Sequence, residues 1–161
     1  MISQEMLEVA AELEKNYLQI KKEFISTSNE GTSMFPHLHD GGWKLIGLRH
    51  RGKDVKEGHD SHPTLSRIIL KFNDLVESCG LSVLKANTVI NPHIGYSKIP
   101  IMRCHLALQI PEGDVALKVE GEIIKWQEGK TFIFDDATMH EAWNKTEYKR
   151  VVVIIDFKIN K

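Results

Sequence analysis

From Leu81 onward the chain is a succession of short β-forming runs: LSVLKANTVI, IMRCHLALQI, DVALKVE, EIIKW, KTFIF and KRVVVIIDFKI. Turn formers separate them, at Asn91-Pro92, Pro111-Glu112-Gly113, Glu120-Gly121 and Glu128-Gly129. Many short strands at even spacing close into a sandwich or a small barrel, because a sheet must bury one face and protect its edges. The front of the chain has a different period. Met6, Ala10, Leu13, Tyr17, Ile20 and Phe24 step by four and three, which predicts one helix with a single apolar stripe. Leu65, Ile68, Phe72, Leu75 and Cys79 predict a second helix over Thr64–Cys79, closed by Gly80. The Ser-, Gly- and Pro-rich stretch between them reads as a loop. At 161 residues this is one domain, with residues 1–80 as helical and loop support and 81–161 as the barrel core.

A net charge of −1 offers no basic field to nucleic acid. Cys79 and Cys104 are too few and too far apart for a disulfide framework or a zinc site, and read as reduced core residues. Glu5, Glu8, Glu12 and Glu14 break up any signal peptide, and no run approaches the ~18 apolar residues of a membrane span. The expectation is a soluble, cytoplasmic protein with no membrane partner. Asn144-Lys145-Thr146 matches a glycosylation sequon, read as chance without an export signal.

Strand alternation turns several polar side chains to one face. In IMRCHLALQI, Arg103 and His105 share a face with Ala107 and Gln109. In the last strand Arg150 lies with Val152, Ile154 and Asp156, and both faces are apolar at mid-strand, so the strand is expected to be covered on both sides. Arg150 then sits either at an exposed strand end, paired with a surface acid, or in a pocket for a small dicarboxylate. The second reading suits arginine, whose planar fork meets a carboxylate with two parallel hydrogen bonds.

Of eight histidines, His37 and His39 lie with Asp40 in a Pro- and Gly-flanked loop and read as solvated. His50, His59 and His62 fall in a stretch read as a mobile loop. His93, in a turn after a strand, and His140, after the strand ending at Phe134, are placed at a barrel rim where ligands gather. HEAWN lacks the second histidine of the zinc protease signature. Non-haem iron oxygenases use two histidines and one carboxylate, the acid normally two residues after the first histidine. Here that position is Gly95, and Ile94, Tyr96, Ser97 and Lys98 offer no acid either.

The ordered set SVLKANTVINPHIG, RCHLAL, WQEGKTFIFDDATMHEAWN and RVVVIIDF resembles the aspartyl/asparaginyl β-hydroxylases, a branch of the iron(II)- and 2-oxoglutarate-dependent oxygenases. The likeness runs from about Trp43 to Phe157 and is strongest over Ser82 to Asp156, with one extra residue between Gly95 and Arg103. That family also has glycine two residues after its first histidine, with water in the third ligand place. The resemblance implies a mainly β double-stranded β-helix, a cupin-like jelly-roll barrel, braced by N-terminal helices. It implies that His93 and His140 bind iron(II), with Asp136 orienting iron-bound water. It implies that Ser82, Arg103 and Arg150 hold 2-oxoglutarate, with His105 beside them and Trp43 in the pocket. The implied reaction consumes O2 and 2-oxoglutarate and hydroxylates the β-carbon of an aspartyl, asparaginyl or related amino-acid substrate, free or within a peptide. Two alternatives stand beside it: a same-fold oxygenase or halogenase acting on another small molecule, and a non-catalytic cupin-like binding module. The loops 26–42 and 51–63 are expected near the substrate entrance.

Overall fold

The computed structural model describes residues 1–33, 35–95 and 98–159; Met34, Tyr96, Ser97 and the last two residues of the 1–161 domain lie outside the described residues. Helices α1 (Gln4–Lys15) and α2 (Tyr17–Ser26) open the chain, followed by strands β1 (Thr32–Ser33), β2 (Trp43–His50) and β3 (Lys53–Asp54). Helices α3 (Lys56–Ser61) and α4 (Pro63–Lys71) come next. The rest is sheet: β4 (Val76–Leu84), β5 (Thr88–His93), β6 (Ile101–Gln109), β7 (Val115–Val119), β8 (Glu122–Ile124), β9 (Thr131–Asp135), β10 (His140–Asn144) and β11 (Arg150–Lys158).

The strands form two antiparallel sheets. The larger runs β1-β2-β4-β11-β6-β9, with β3 on the free side of β2; the smaller runs β5-β10-β7-β8. Helices α1, α2 and α4 bury Met6, Leu13, Ile20, Phe24, Leu65 and Ile68 against one face of the larger sheet, where Leu81, Cys104, Val153 and Phe157 meet them. The other face carries Trp43, Leu84, Ala107 and Val152, which pack against Ile90, Leu117 and Ala142 of the smaller sheet. Strand β11 is therefore covered on both sides, as its two apolar faces predict. Each apolar side chain sealed this way contributes about 1.5–3 kcal/mol relative to exposure. The interior between the two sheets is where the inward polar residues converge.

Four expectations need correction. The single N-terminal helix is two, broken at Asn16. The Asn16 side-chain amide donates to Glu12 O at 2.8 Å, and its backbone leaves the helical region at φ −101°, ψ 12°. A short amide side chain that competes for helix carbonyls ends a helix readily. The predicted helix Thr64–Cys79 stops at Lys71. Arg49 on β2 grips the chain reversal that follows, donating to Asn73 Oδ1 at 2.8 Å and to Val76 O at 3.2 Å. Residues from Val76 onward are strand, and Gly80 pairs with Gly47 inside the sheet instead of capping a helix. A short apolar run buried on both faces has the same spacing signature in either state. The barrel therefore does not begin at residue 81, because β2 and the start of β4 lie within its larger sheet. The stretch read as a mobile loop is also ordered: His59 is held between Asp54 Oδ1 (2.9 Å) and Ser66 Oγ (2.6 Å), and His62 is fully buried.

Candidate active site

His93 ends β5 and His140 begins β10, and the two residues are direct cross-strand partners. Their ring centroids lie 4.4 Å apart. Each ring is fixed by a carbonyl two residues earlier, His93 Nδ1 on Asn91 O at 2.7 Å and His140 Nδ1 on Thr138 O at 2.8 Å. A carbonyl only accepts, so each Nδ1 carries a proton, and in the neutral ring the lone pair is then on Nε2. A carbonyl on the far ring nitrogen is what orients metal-binding imidazoles. His140 Nε2 is buried without a hydrogen-bond partner among the described residues, and burial pushes the His140 pKa down to about 4, so the ring is neutral at pH 7 with that lone pair available.

Asp136 follows β9 and turns back toward the pair. Its Oδ1 lies 3.6 Å from His140 Nε2 and 2.9 Å from the Arg103 guanidinium, although neither contact is aligned as a hydrogen bond. Burial pushes this carboxyl upward, against the opposing pull of Arg103. The main chain of Gly95 donates to Asp136 O at 2.8 Å, and a Cβ built on Gly95 would fall on the Asp136 carboxylate. Glycine at position 95 is thus a steric requirement, since the space an acidic side chain would enter already holds the carboxylate of Asp136 from the β9–β10 connection. Among the described residues no group of three or more His, Cys, Asp or Glu side chains is gathered to hold a metal ion.

Arg103 and Asp156 are cross-strand partners on β6 and β11. Arg103 Nε and Nη2 donate to the two Asp156 oxygens at 2.7 and 3.0 Å, a bidentate pair. Burial works against the Arg103 charge, but Asp156 and Asp136 outweigh it and hold its pKa above the ordinary value. Arg103 thus faces the interior with its charge already matched.

Arg150 is in the opposite condition. It is 1% exposed, and among the described residues no carboxylate ion-pairs with it. Its Nη2 donates to Ser82 Oγ at 2.6 Å and Ser82 O at 3.1 Å, and its Nε has no partner among the described residues. Burial pushes its pKa down to about 9. Ser82 Oγ also accepts from Trp43 Nε1 at 2.9 Å. With two donors directed at that oxygen, the hydroxyl proton of Ser82 is left for an acceptor in the pocket. His105 projects from β6 into the same interior and is buried; burial, then Arg103 and Arg150, hold it well below the ordinary histidine pKa. A groove of about 390 Å³, lined in part by Trp43, Leu45, Gly80, Ile154, Arg103 and Asp136, opens from this interior along the larger sheet.

All eight residues singled out in the sequence therefore face one interior: His93, His140 and Asp136 at the rim, Arg103 beside them, and Ser82, Arg150, His105 and Trp43 deeper. Two residues that shape it carried no role in the sequence reading. Asp156 was legible, since alternation places it on the Arg150 face. Trp126, between β8 and β9, packs its ring 4.9 Å from Arg150 Cζ. A residue in a connection has no periodicity to reveal it. His39 instead serves its own loop, accepting the main-chain N–H of Gly41 at 2.9 Å. The sequon at Asn144 is closed, because that residue is fully buried and its amide nitrogen donates to the carbonyls of Leu84, Lys85 and Tyr148.

Two antiparallel sheets facing across a polar interior, with histidines at the rim, define a double-stranded β-helix of the cupin and oxygenase type. An oxidoreductase of the 2OG-Fe(II) oxygenase family from Burkholderia pseudomallei shares this fold at TM-score 0.63 and 13% identity, over 95% of this chain and 89% of that one. The chain belongs to the aspartyl/asparaginyl β-hydroxylase family, whose model matches residues 1–159. Among its relatives, an ornithine lipid ester-linked acyl 2-hydroxylase from Rhizobium tropici is 32% identical over 92% of this chain and 53% of that protein. The aspartyl/asparaginyl β-hydroxylase of Mus musculus is 26% identical over 92% of this chain and 21% of that protein. The chain thus spans about half the length of the first relative and about a fifth of the second. No helix among the described residues is long and apolar enough to cross a membrane.

Proposed function

We propose that this chain is an iron(II)- and 2-oxoglutarate-dependent hydroxylase that acts on an unactivated carbon of an amino-acid-bearing substrate, with the β-carbon of an aspartyl or asparaginyl unit as the first candidate. The observation that carries the reading is a pair of buried nitrogens in one interior, His140 Nε2 and Arg150 Nε, that have no hydrogen-bond partner among the described residues. The first is a lone pair suited to a divalent cation; the second belongs to an unmatched cation suited to an anion. A metal and a dicarboxylate satisfy both.

The residues fit that pair of groups. His93 and His140 present preset Nε2 lone pairs, and imidazole suits iron(II). Arg150, Ser82 and the Nε2 side of His105 offer donors to carboxylates, with Trp43 holding Ser82 in place. Iron(II) with 2-oxoglutarate and O2 supplies the oxidising chemistry, giving succinate, carbon dioxide and one inserted oxygen atom. The protein's contribution is orientation, exclusion of water and fixed charge. Asp136 occupies the place where a carboxylate at position 95 would stand, and its role is to orient a water beside the two histidines.

A second substrate class has its own support. The groove beyond Arg103 and Asp136 has an apolar floor at Leu45, Val55 and Ile154, and the rhizobial relative is named for acting on an acyl chain. An acyl group attached to an amino acid would lay its chain along that floor. A panel of free amino acids, Asp-containing peptides and N-acyl amino acids, incubated with iron(II), 2-oxoglutarate and O2, separates the two by mass spectrometry. Gain of one oxygen by an Asp or Asn compound supports the first class, and gain only on the acyl chain supports the second. A chlorinated product formed in chloride buffer would instead favour the halogenase alternative.

A further inference from the structure

We propose that Trp126 is the positioning residue of the anion pocket, fixing both the tautomer of His105 and the seat of the Arg150 guanidinium. The inference rests on the cosubstrate reading above. Trp126 is 7% exposed, and its indole reaches both groups at once. Its Nε1 lies 3.2 Å from His105 Nδ1, and its ring centroid lies 4.9 Å from Arg150 Cζ. Ser82 Oγ also anchors Arg150, through Nη2 at 2.6 Å, while the indole covers the guanidinium face and meets His105 as well. Arg150 has no counter-ion among the described residues, so the electron-rich ring face is the nearest compensation for its charge.

The hydrogen bond decides a proton position. An indole N–H only donates, so the His105 nitrogen that meets it must carry the lone pair. A neutral imidazole then carries its proton on Nε2, and that N–H becomes a donor to an anion in the pocket. Reversing the tautomer would turn a lone pair toward the carboxylate and replace attraction by repulsion. Burial of His105 at 6% exposure leaves no bulk water to restore the bond. Trp126 lies in the connection from β8 to β9, the same segment that leads into Asp136 and His140, so one stretch of chain sets both the rim and the depth of the site.

The test reads the tautomer directly. In metal-free protein labelled with 15N-histidine, ring-nitrogen NMR should show His105 protonated at Nε2 and bare at Nδ1. This measurement needs no variant, so a folding defect cannot obscure it. Trp126→Phe keeps a ring face and removes the N–H: the expected result is loss of the fixed tautomer and about a tenfold weaker affinity for 2-oxoglutarate by calorimetry, the scale of one hydrogen bond to a charged group. The apparent KM for 2-oxoglutarate should rise with kcat little changed, and iron binding should persist. Trp126→Ala, which also removes the ring face, should weaken binding further. Protonation at Nδ1 in the unaltered protein would overturn the proposal, as would a Trp126→Phe variant with unchanged tautomer and affinity. The two readings fail differently: unaltered protein that binds no 2-oxoglutarate sinks the cosubstrate reading, and with it any positioning role. Binding that survives Trp126→Phe intact sinks only the role of Trp126.

Discussion

At the scale of single residues, Arg150 dominates the account, because a buried guanidinium without a counter-ion is costly unless a ligand supplies one. Replacing it by methionine should therefore have effects of opposite sign on two properties. The ligand-free protein is expected to keep or gain thermal stability, since an apolar side chain of similar length removes an unmatched charge. Affinity for 2-oxoglutarate should fall by roughly thirtyfold or more, the scale of about 2 kcal/mol or above for removing one partner of a buried charge pair. Scanning calorimetry with and without 2-oxoglutarate measures both in one series. Loss of stability together with unchanged affinity would place Arg150 in the scaffold alone. Strand alternation placed this residue on one face with Asp156 but left it open between an exposed strand end and a pocket; the resemblance pointed to the pocket, and neither could say which arginine was already matched. The match is made across strands: Asp156 pairs with Arg103, one strand over.

At the scale of elements, the strands were easier to foresee than their borders. The turn formers after Leu81 marked the later strands well, since Asn-Pro and Glu-Gly sites interrupt pairing for local reasons. The helix ending at Lys71 was not legible, because its end is set by Arg49 reaching across from β2, a contact between residues far apart in sequence. Strand β2 itself escaped notice for a related reason: Trp43–His50 lacks a clean alternation, with Arg49 buried by its partners and not by an apolar neighbour. The end of β10 is fixed in the same long-range manner. Asn144 donates to three carbonyls, and its Oδ1 accepts from the backbone N–H and hydroxyl of Thr146, at 3.1 and 2.7 Å. Asn144→Ala should cost about 2–3 kcal/mol by leaving buried carbonyls unpaired. Urea unfolding would show this as a lower midpoint with an unchanged slope. A loss below about 0.5 kcal/mol would mean that the clasp is replaceable by water.

At the scale of the whole molecule, the site and the fold share one pH dependence. His62, His105 and His140 are all buried, and burial is the largest cause lowering each pKa from the ordinary value near 6.5. The unfolded chain therefore takes up protons below pH 6.5 that the folded chain resists. Unfolding free energy should be flat around these groups above that pH and should fall as the pH drops through it. Denaturant midpoints between pH 7.5 and 4.5 test this trend, with His62→Leu expected to give a shallower fall at no cost to the anion pocket. An equally steep fall in that variant would show that His62 contributes nothing to the slope. The barrel also brings residues from six strands and two connections to one interior, and that convergence could be expected only through the family resemblance.

The central claim is that His93 and His140, with the Arg150 pocket beneath them, make this chain a 2-oxoglutarate-consuming oxygenase. Its most direct test is succinate formation from 2-oxoglutarate under air, with and without iron(II), by the unaltered protein and by His140→Ala. The account predicts iron-dependent succinate even without a hydroxylation substrate, and none above background from the variant. Succinate formed equally by both proteins, or by neither while 2-oxoglutarate binds, would contradict it.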